Sequence, residues 1–143
     1  MTLTAPPHFF TQSAVIPYRI RLRTRTLEIC LITSRKGTSW IIPKGVVEPK
    51  MTPPASALKE AWEEAGIKGR VVGGEIGSYT YEKWGGVCTV SIYPMRVKTV
   101  LRHWPESYRE RRWLPLEEAI AKIRDKQVRP YMESLPRLIR QPI

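Results

Sequence analysis

A helix marked at both ends constrains this chain more than any other feature. In "TPPASALKEAWEEAGI", residues 52–67, Thr52 is a good N-cap, Pro53 suits the first helical position, and Gly66 offers the left-handed residue that ends a helix. Strong helix formers fill the interval, so the pattern predicts a helix over 53–65. The chain around it is rich in β-formers. "SAVIPYRI", "TLEICLITS" and "SWIIP" predict three early strands, "GRVVGGEIGSYTYE" and "GVCTVSIYPMRV" a later antiparallel pair turned at "KWGG", and "RRWLPL" a last strand. A second helix fits "LEEAIAKIR", and a third fits "YMESL", interrupted by Pro136. Strands and helices mixed in this order predict an α+β fold or an α/β/α sandwich.

The 143 residues fall within the usual size of one domain, so 1–143 is read as a single unit. A hydrophobic content of 42% suits a folded chain, and neither repeats nor low-complexity tracts interrupt it. Cys30 and Cys88 both lie in apolar runs, where a thiol serves as a small buried hydrophobe in a reducing compartment. "MTLTAPPHFFTQ" lacks the pattern of a signal peptide, and no segment approaches the roughly 20 apolar residues of a membrane span. A soluble, cytoplasmic protein without a membrane partner is expected. His8 and His103 are far apart in sequence, which excludes a zinc site of paired His and Cys spacing. Any metal would be held by carboxylates.

The chain carries a net charge of +11, yet three of its 13 acidic residues, Glu60, Glu63 and Glu64, crowd one stretch of the predicted helix. Residues three and four apart share a helix side, so these glutamates project together while Leu58, Ala61, Trp62 and Ala65 project the other way. Like charges at that spacing repel, and a ligand that neutralises them reverses the penalty. Clustered carboxylate oxygens suit Mg²⁺ or Mn²⁺ and leave positions open for water and phosphate oxygens, the arrangement that phosphoryl chemistry needs. The plainer alternative is a solvated acidic face paired with nearby basic residues. The excess of positive charge elsewhere favours an anionic partner: nucleic acid, an acidic membrane face or a small polyphosphate.

The segment "WIIPKGVVEPKMTPPASALKEAWEEAGI" resembles the signature of the Nudix hydrolases. That signature is a glycine, five residues, a glutamate, seven residues, then Arg-Glu-aliphatic-x-Glu-Glu-x-Gly-aliphatic. Gly45 matches its first glycine, and Lys59-Glu60-Ala61-Trp62-Glu63-Glu64-Ala65-Gly66-Ile67 its closing stretch. Two positions depart: Met51 stands in place of the first glutamate and Lys59 in place of the arginine. The resemblance implies a mixed β-sheet between helices, with the signature forming a loop-helix-loop. It also implies that Glu60, Glu63 and Glu64 hold divalent metal, Mg²⁺ or Mn²⁺, with the Gly45 carbonyl as a further ligand, and that water hydrolyses a pyrophosphate linkage. Glu60, Glu106 or Glu110 is the candidate general base. The arginine and the acids of the signature brace the loop in the family, so Glu48 is a candidate replacement for the acid missing at Met51. "ITSRKGTSWIIPKG" and "RERRWLPLEEAI" look like the corresponding parts of the diphosphoinositol polyphosphate phosphohydrolase branch.

Outside the helix, Lys44, Ser34 and Arg35 are candidate phosphate contacts, with Thr33 as a further hydroxyl donor. Turn chemistry explains the Thr-Ser pair as well. Arg109 and Arg111 have counterparts in the inositol-directed branch and are candidates of the same kind. Arg19, Arg21, Arg23 and Arg25 alternate; on a continuous strand they form a charged edge that discourages pairing between molecules or, alternatively, a phosphate comb. Trp40, Trp62 and Trp113 read as core, whereas Trp84 sits in a turn, where an indole either stacks on a base or covers a strand. The favoured substrate is a small, highly anionic pyrophosphate compound, either a diphosphoinositol polyphosphate or a dinucleoside polyphosphate. The competing function is a Nudix-fold module that binds RNA or a nucleotide and has lost catalysis through the changes at Met51 and Lys59.

Overall fold

The computed structural model describes residues 8–83 and 85–139. Trp84 lies outside the described residues, as do residues 1–7, on which part of the signal-peptide reading rests. The strands are β1 (His8–Arg21), β2 (Thr26–Thr33), β3 (Trp40–Ile41), β4 (Lys44–Val46), β5 (Ile67–Val71), β6 (Gly77–Lys83), β7 (Gly86–Val100) and β8 (Arg111–Pro115). The helices are α1 (Pro53–Ala65), α2 (Leu116–Lys122) and α3 (Arg129–Leu138), with a 3₁₀ turn at Lys126–Val128.

The sheet runs β3-β2-β1-β7-β5, with β4 joined to β1, β6 to β7 and β8 to β2. One pairing is parallel: β1 and β7 run side by side from His8↔Gly86 to Tyr18↔Arg96. The remaining pairs are antiparallel; β6 and β7, on either side of "KWGG", pair as expected, but "GRVVGGEIGSYTYE" is not one strand, since β5 and β6 each pair separately with β7. The sheet is therefore mixed.

Strand alternation explains why "SAVI" and "EICLIT" are apolar without a break. Ala14, Ile16, Ile29 and Leu31 face a core closed by α2 and α3 through Ala119, Met132 and Leu135. Val15, Cys30 and Ile32 face the opposite core, closed by Ala57, Ala61 and Ala65 of α1. A strand covered on both faces has no polar side to present, and helices on both faces make an α/β/α sandwich. Cys30 and Cys88 are both buried free thiols, and burial pushes the Cys30 thiol up to about 12. Among the described residues, no helix is long and apolar enough to cross a membrane.

The helix α1 ends where its caps place it. Thr52 accepts from the Ala55 amide, and Gly66 takes the left-handed conformation at φ 64 with its amide on the Trp62 carbonyl. A Cβ at Gly66 meets the Trp104 ring at 2.6 Å. Gly66→Ala is therefore expected to cost about 2 kcal/mol through strained φ and the clash together. Urea unfolding reads this as a lower midpoint at unchanged slope.

Several details differ from expectation. The strand β1 begins earlier than "SAVIPYRI", and of "SWIIP" only Trp40–Ile41 is strand (β3), with β4 starting just after Pro43, which has no amide to donate. The alternating arginines do not share one strand face. β1 stops at Arg21, residues 22–25 form the turn into β2 with Arg25 at φ 54, and Glu28 pairs with Arg19 at 2.8 Å and Arg21 at 3.6 Å. Nor is β1 an edge strand, since it lies between β2 and β7. Trp62 is 37% exposed and outside both cores, while Trp40 and Trp113 pack against them. Finally, α2 stops at Lys122 because Ile123 leaves to bridge Trp40, and α3 continues past Pro136 with Met132 and Leu135 buried.

Candidate active site

The predicted glutamates line a cleft of about 700 Å³ that also takes in Lys44 and Gly45 of β4, Arg35 and Ser34 after β2, and Glu106 and Arg109 of the loop between β7 and β8. Three sets of bonds assemble it.

The first set draws β4 against α1. β4 pairs with β1 through Ser13↔Gly45, and the Lys44 amide donates to Glu64 Oε1 at 3.3 Å. A Cβ at Gly45 would stand 2.3 Å from the Glu60 carboxyl carbon, so only glycine allows this approach. The second set ties the loop before α1 to the helix. Ser56 donates to the Val46 carbonyl and accepts from the Glu48 amide, each at 3.3 Å, and Lys59 Nζ pairs with Glu48 at 2.8 Å. Glu48 thus supplies the acid that Met51 lacks, and it partners the lysine that stands in for arginine. Glu48→Gln is expected to loosen the loop before α1, and Lys59→Arg to keep it in place, since the longer planar fork still reaches Glu48. Amide hydrogen exchange over residues 46–52 of the two variants checks this.

The third set joins the β7–β8 loop to the end of α1. A helix C-terminus leaves carbonyls without intrahelical partners. Here Trp104 Nε1 donates to the Glu64 carbonyl at 3.1 Å, Arg111 Nη1 to the Ala65 and Gly66 carbonyls at 2.8 and 3.2 Å, and the Glu106 amide to the Glu63 carbonyl at 2.9 Å. Arg111, expected to meet substrate, lies instead with its guanidinium 4.2 Å from the Trp104 ring centroid and away from the cleft lining. Its spacing in "RERRW" puts it on β8 with its donors on the end of α1, which is the physical reason for the difference.

Arg109 lines the cleft but is only 6% exposed, its guanidinium donating to Glu106 Oε1 through Nε and Nη2 and to the Thr33 carbonyl through Nη1. It fixes Glu106 in the cleft wall. Glu110 is exposed and is not part of that wall; its amide donates to Thr33 Oγ1. Ser34 Oγ accepts from the Ser39 amide at 3.2 Å, so the Thr-Ser pair serves the turn, while Arg35 beside it is exposed at the cleft. Gln12, Tyr81 and Arg124 also line the cleft and were missed by the sequence reading. Tyr81 donates to Gln12 Oε1 at 2.6 Å, a pairing between strands far apart in sequence that no local pattern announces.

The carboxylates are electrostatically frustrated. Glu64 is 7% exposed, and burial together with the hydrogen bond and charge of the neighbouring Glu60 pushes its pKa well up, which favours a proton between the two carboxyls. Burial also raises Glu60, reinforced by Glu63, Glu106 and Glu48 and opposed by the bond from Glu64. Glu63 lies 3.8 Å from Lys59. Among the described residues, no three acidic, histidine or cysteine side chains stand ready-gathered as metal ligands. The donor set nonetheless fits a hard divalent cation: carboxylate oxygens on one rigid helix, a backbone that only glycine can bring so close, and a charge deficit that the protein meets with a shared proton.

The NUDIX domain sequence model matches residues 12–135. Nudix hydrolase 16, mitochondrial, from Arabidopsis thaliana is 32% identical over 70% of this chain and 60% of its own length. Diphosphoinositol polyphosphate phosphohydrolase 2 of Rattus norvegicus is 35% identical over 65% of this chain and 52% of its own. The chain thus spans about half to three fifths of these curated relatives. Among solved structures, the C. elegans Ap4A hydrolase aligns with a TM-score of 0.76 over 93% of this chain and all of its own, at 19% identity, a likeness of fold.

Proposed function

Because the chain belongs to the Nudix family, we propose that it is a pyrophosphohydrolase dependent on Mg²⁺ or Mn²⁺, acting on a small and highly anionic substrate. The observation that carries this reading is the meeting, in one cleft, of Glu60, Glu63 and Glu64 with Gly45, Lys44 and Arg35. Glu60, Glu63, Glu64 and the Gly45 carbonyl would hold the ion. When bound, it neutralises phosphate charge and makes water nucleophilic.

The chain's own residues do the rest. Lys44 and Arg35 bind phosphate oxygens, Ser34 adds a hydroxyl at the rim, and Arg109 keeps Glu106 in place. Water attacks one phosphorus, the bond to the bridging oxygen breaks, and the products are two phosphate-bearing fragments. Of the acids proposed to take the proton from water, Glu60 and Glu106 line the cleft, and Glu110 does not. The candidate substrates are diphosphoinositol polyphosphates and dinucleoside polyphosphates, in keeping with the names of the diphosphoinositol polyphosphate phosphohydrolase and the Ap4A hydrolase that the chain resembles. The catalytically inactive RNA-binding module rested on Met51 and Lys59, and the Glu48–Lys59 pair takes away much of that ground.

Product analysis across a panel of both substrate types, with Mg²⁺ or Mn²⁺ and then with chelator, tests the proposal. Turnover of at least one substrate that stops on chelation is expected. No turnover with either metal, together with salt-sensitive RNA binding, would favour the module.

A further inference from the structure

Beside the glutamate-lined space lies a second chamber of about 360 Å³, and Lys44, Tyr81 and Arg124 border both. The position of Arg124 is built into the fold. Its amide donates to the Trp40 carbonyl at 2.9 Å, and Trp40 and Ile123 form a parallel bridge, so the chain after α2 is pinned to β3 beside the cleft mouth. Asp125 then holds the guanidinium as a fork, accepting from Nε at 3.1 Å and from Nη2 at 3.2 Å.

Across the chamber, Lys44 Nζ lies 4.3 Å from the Tyr81 ring centroid and 3.4 Å from the Tyr79 hydroxyl. Lys44, Arg124 and Lys126 border this space with Asp125 as the one carboxylate among its lining residues. The glutamates of α1 thus line the first space only, whereas Lys44 and Arg124 line both. An anion in the second chamber needs no bridging metal, because the Lys44 ammonium and the Arg124 Nη1, which makes no bond to Asp125, offer it charge-assisted hydrogen bonds.

We propose that this second chamber binds, through Arg124 and Lys44, a phosphate group outside the cleaved linkage, and so selects substrates bearing at least one phosphate beyond the pyrophosphate itself. The inference rests on the hydrolase reading for its consequence in turnover, but binding tests it separately. Arg124→Gln removes the charge from the chamber and leaves the glutamate face intact. Lys122→Gln, on the exposed end of α2 and outside either lining, is the control.

Two measurements are paired. In chelator, calorimetry with inorganic tripolyphosphate is expected to show binding weakened about tenfold or more by Arg124→Gln and unchanged by Lys122→Gln, the size expected for one charged hydrogen bond. In Mg²⁺, Arg124→Gln is expected to raise KM by a similar factor for diphosphoinositol pentakisphosphate or diadenosine tetraphosphate, with little change in kcat and none for diadenosine diphosphate. Unchanged tripolyphosphate binding, or an equal loss on all substrates, overturns the proposal. Weakened binding by a protein that hydrolyses none of the three sustains the chamber and removes the hydrolase reading.

Discussion

Glu64→Gln is expected to lower the proposed metal-dependent hydrolysis at least about 1,000-fold, the loss of roughly 4 kcal/mol of transition-state stabilisation that removal of a proposed metal ligand entails. The substitution is unusually clean. Burial and the neighbouring Glu60 push Glu64 toward its protonated form, and an amide keeps both the shape and a donor. Folding should therefore be nearly unaffected. Initial rates in Mg²⁺ alongside thermal unfolding separate the two effects, and a variant retaining a tenth of wild-type turnover would remove Glu64 from the metal set.

Gly45→Ala carries the second large effect, for a steric reason. The added methyl lies 2.3 Å from the Glu60 carboxyl carbon and 2.6 Å from both its oxygens, so either the carboxylate or β4 must move. β4 is held by its pairing with β1, which leaves Glu60 to yield. With the role proposed for Glu60, a displacement of about 1 Å loses on the order of 100-fold in rate, while stability changes little because the far end of a flexible side chain can swing aside. Gly74→Ala, with nothing within 4 Å of the added methyl, is the matched control. Equal kcat/KM in the two variants would show that the close approach has no functional role.

What the sequence made legible was local. The ends of α1 are written in Thr52, Pro53 and Gly66, each of which acts on its own immediate backbone, and both ends fell where those residues put them. The apolar runs of β1 and β2 likewise marked them as strands, and the structure buries them on both faces. Long-range pairing was not legible. Nothing in "SAVIPYRI" or "GVCTVSIY" says that they lie parallel and adjacent, because register is decided by contacts across most of the chain.

The same limit applied to the site. Glu60, Glu63, Glu64 and Gly45 belong to one contiguous motif, so spacing alone gathered them. Arg124 reaches the cleft only through the bridge between Trp40 and Ile123, and its own neighbourhood reads as the end of a helix. Arg111 misled in the opposite direction. Its resemblance to an inositol-branch position suggested a phosphate contact, whereas the structure sets its Nη1 on the terminal carbonyls of α1 and its side chain outside the cleft lining. Glu48 shows how a departure from a motif is absorbed: the acid missing at Met51 is supplied three residues earlier, on the same loop, to the same partner position.

Diffraction from crystals grown in manganese, recorded for its anomalous signal, tests the central claim most directly. The account predicts a peak bounded by the carboxylates of Glu60, Glu63 and Glu64 and the Gly45 carbonyl, with the Glu60–Glu64 hydrogen bond opened to make room. No peak there at saturating manganese, with Glu64 still bonded to Glu60 and Glu63 still beside Lys59, would contradict it.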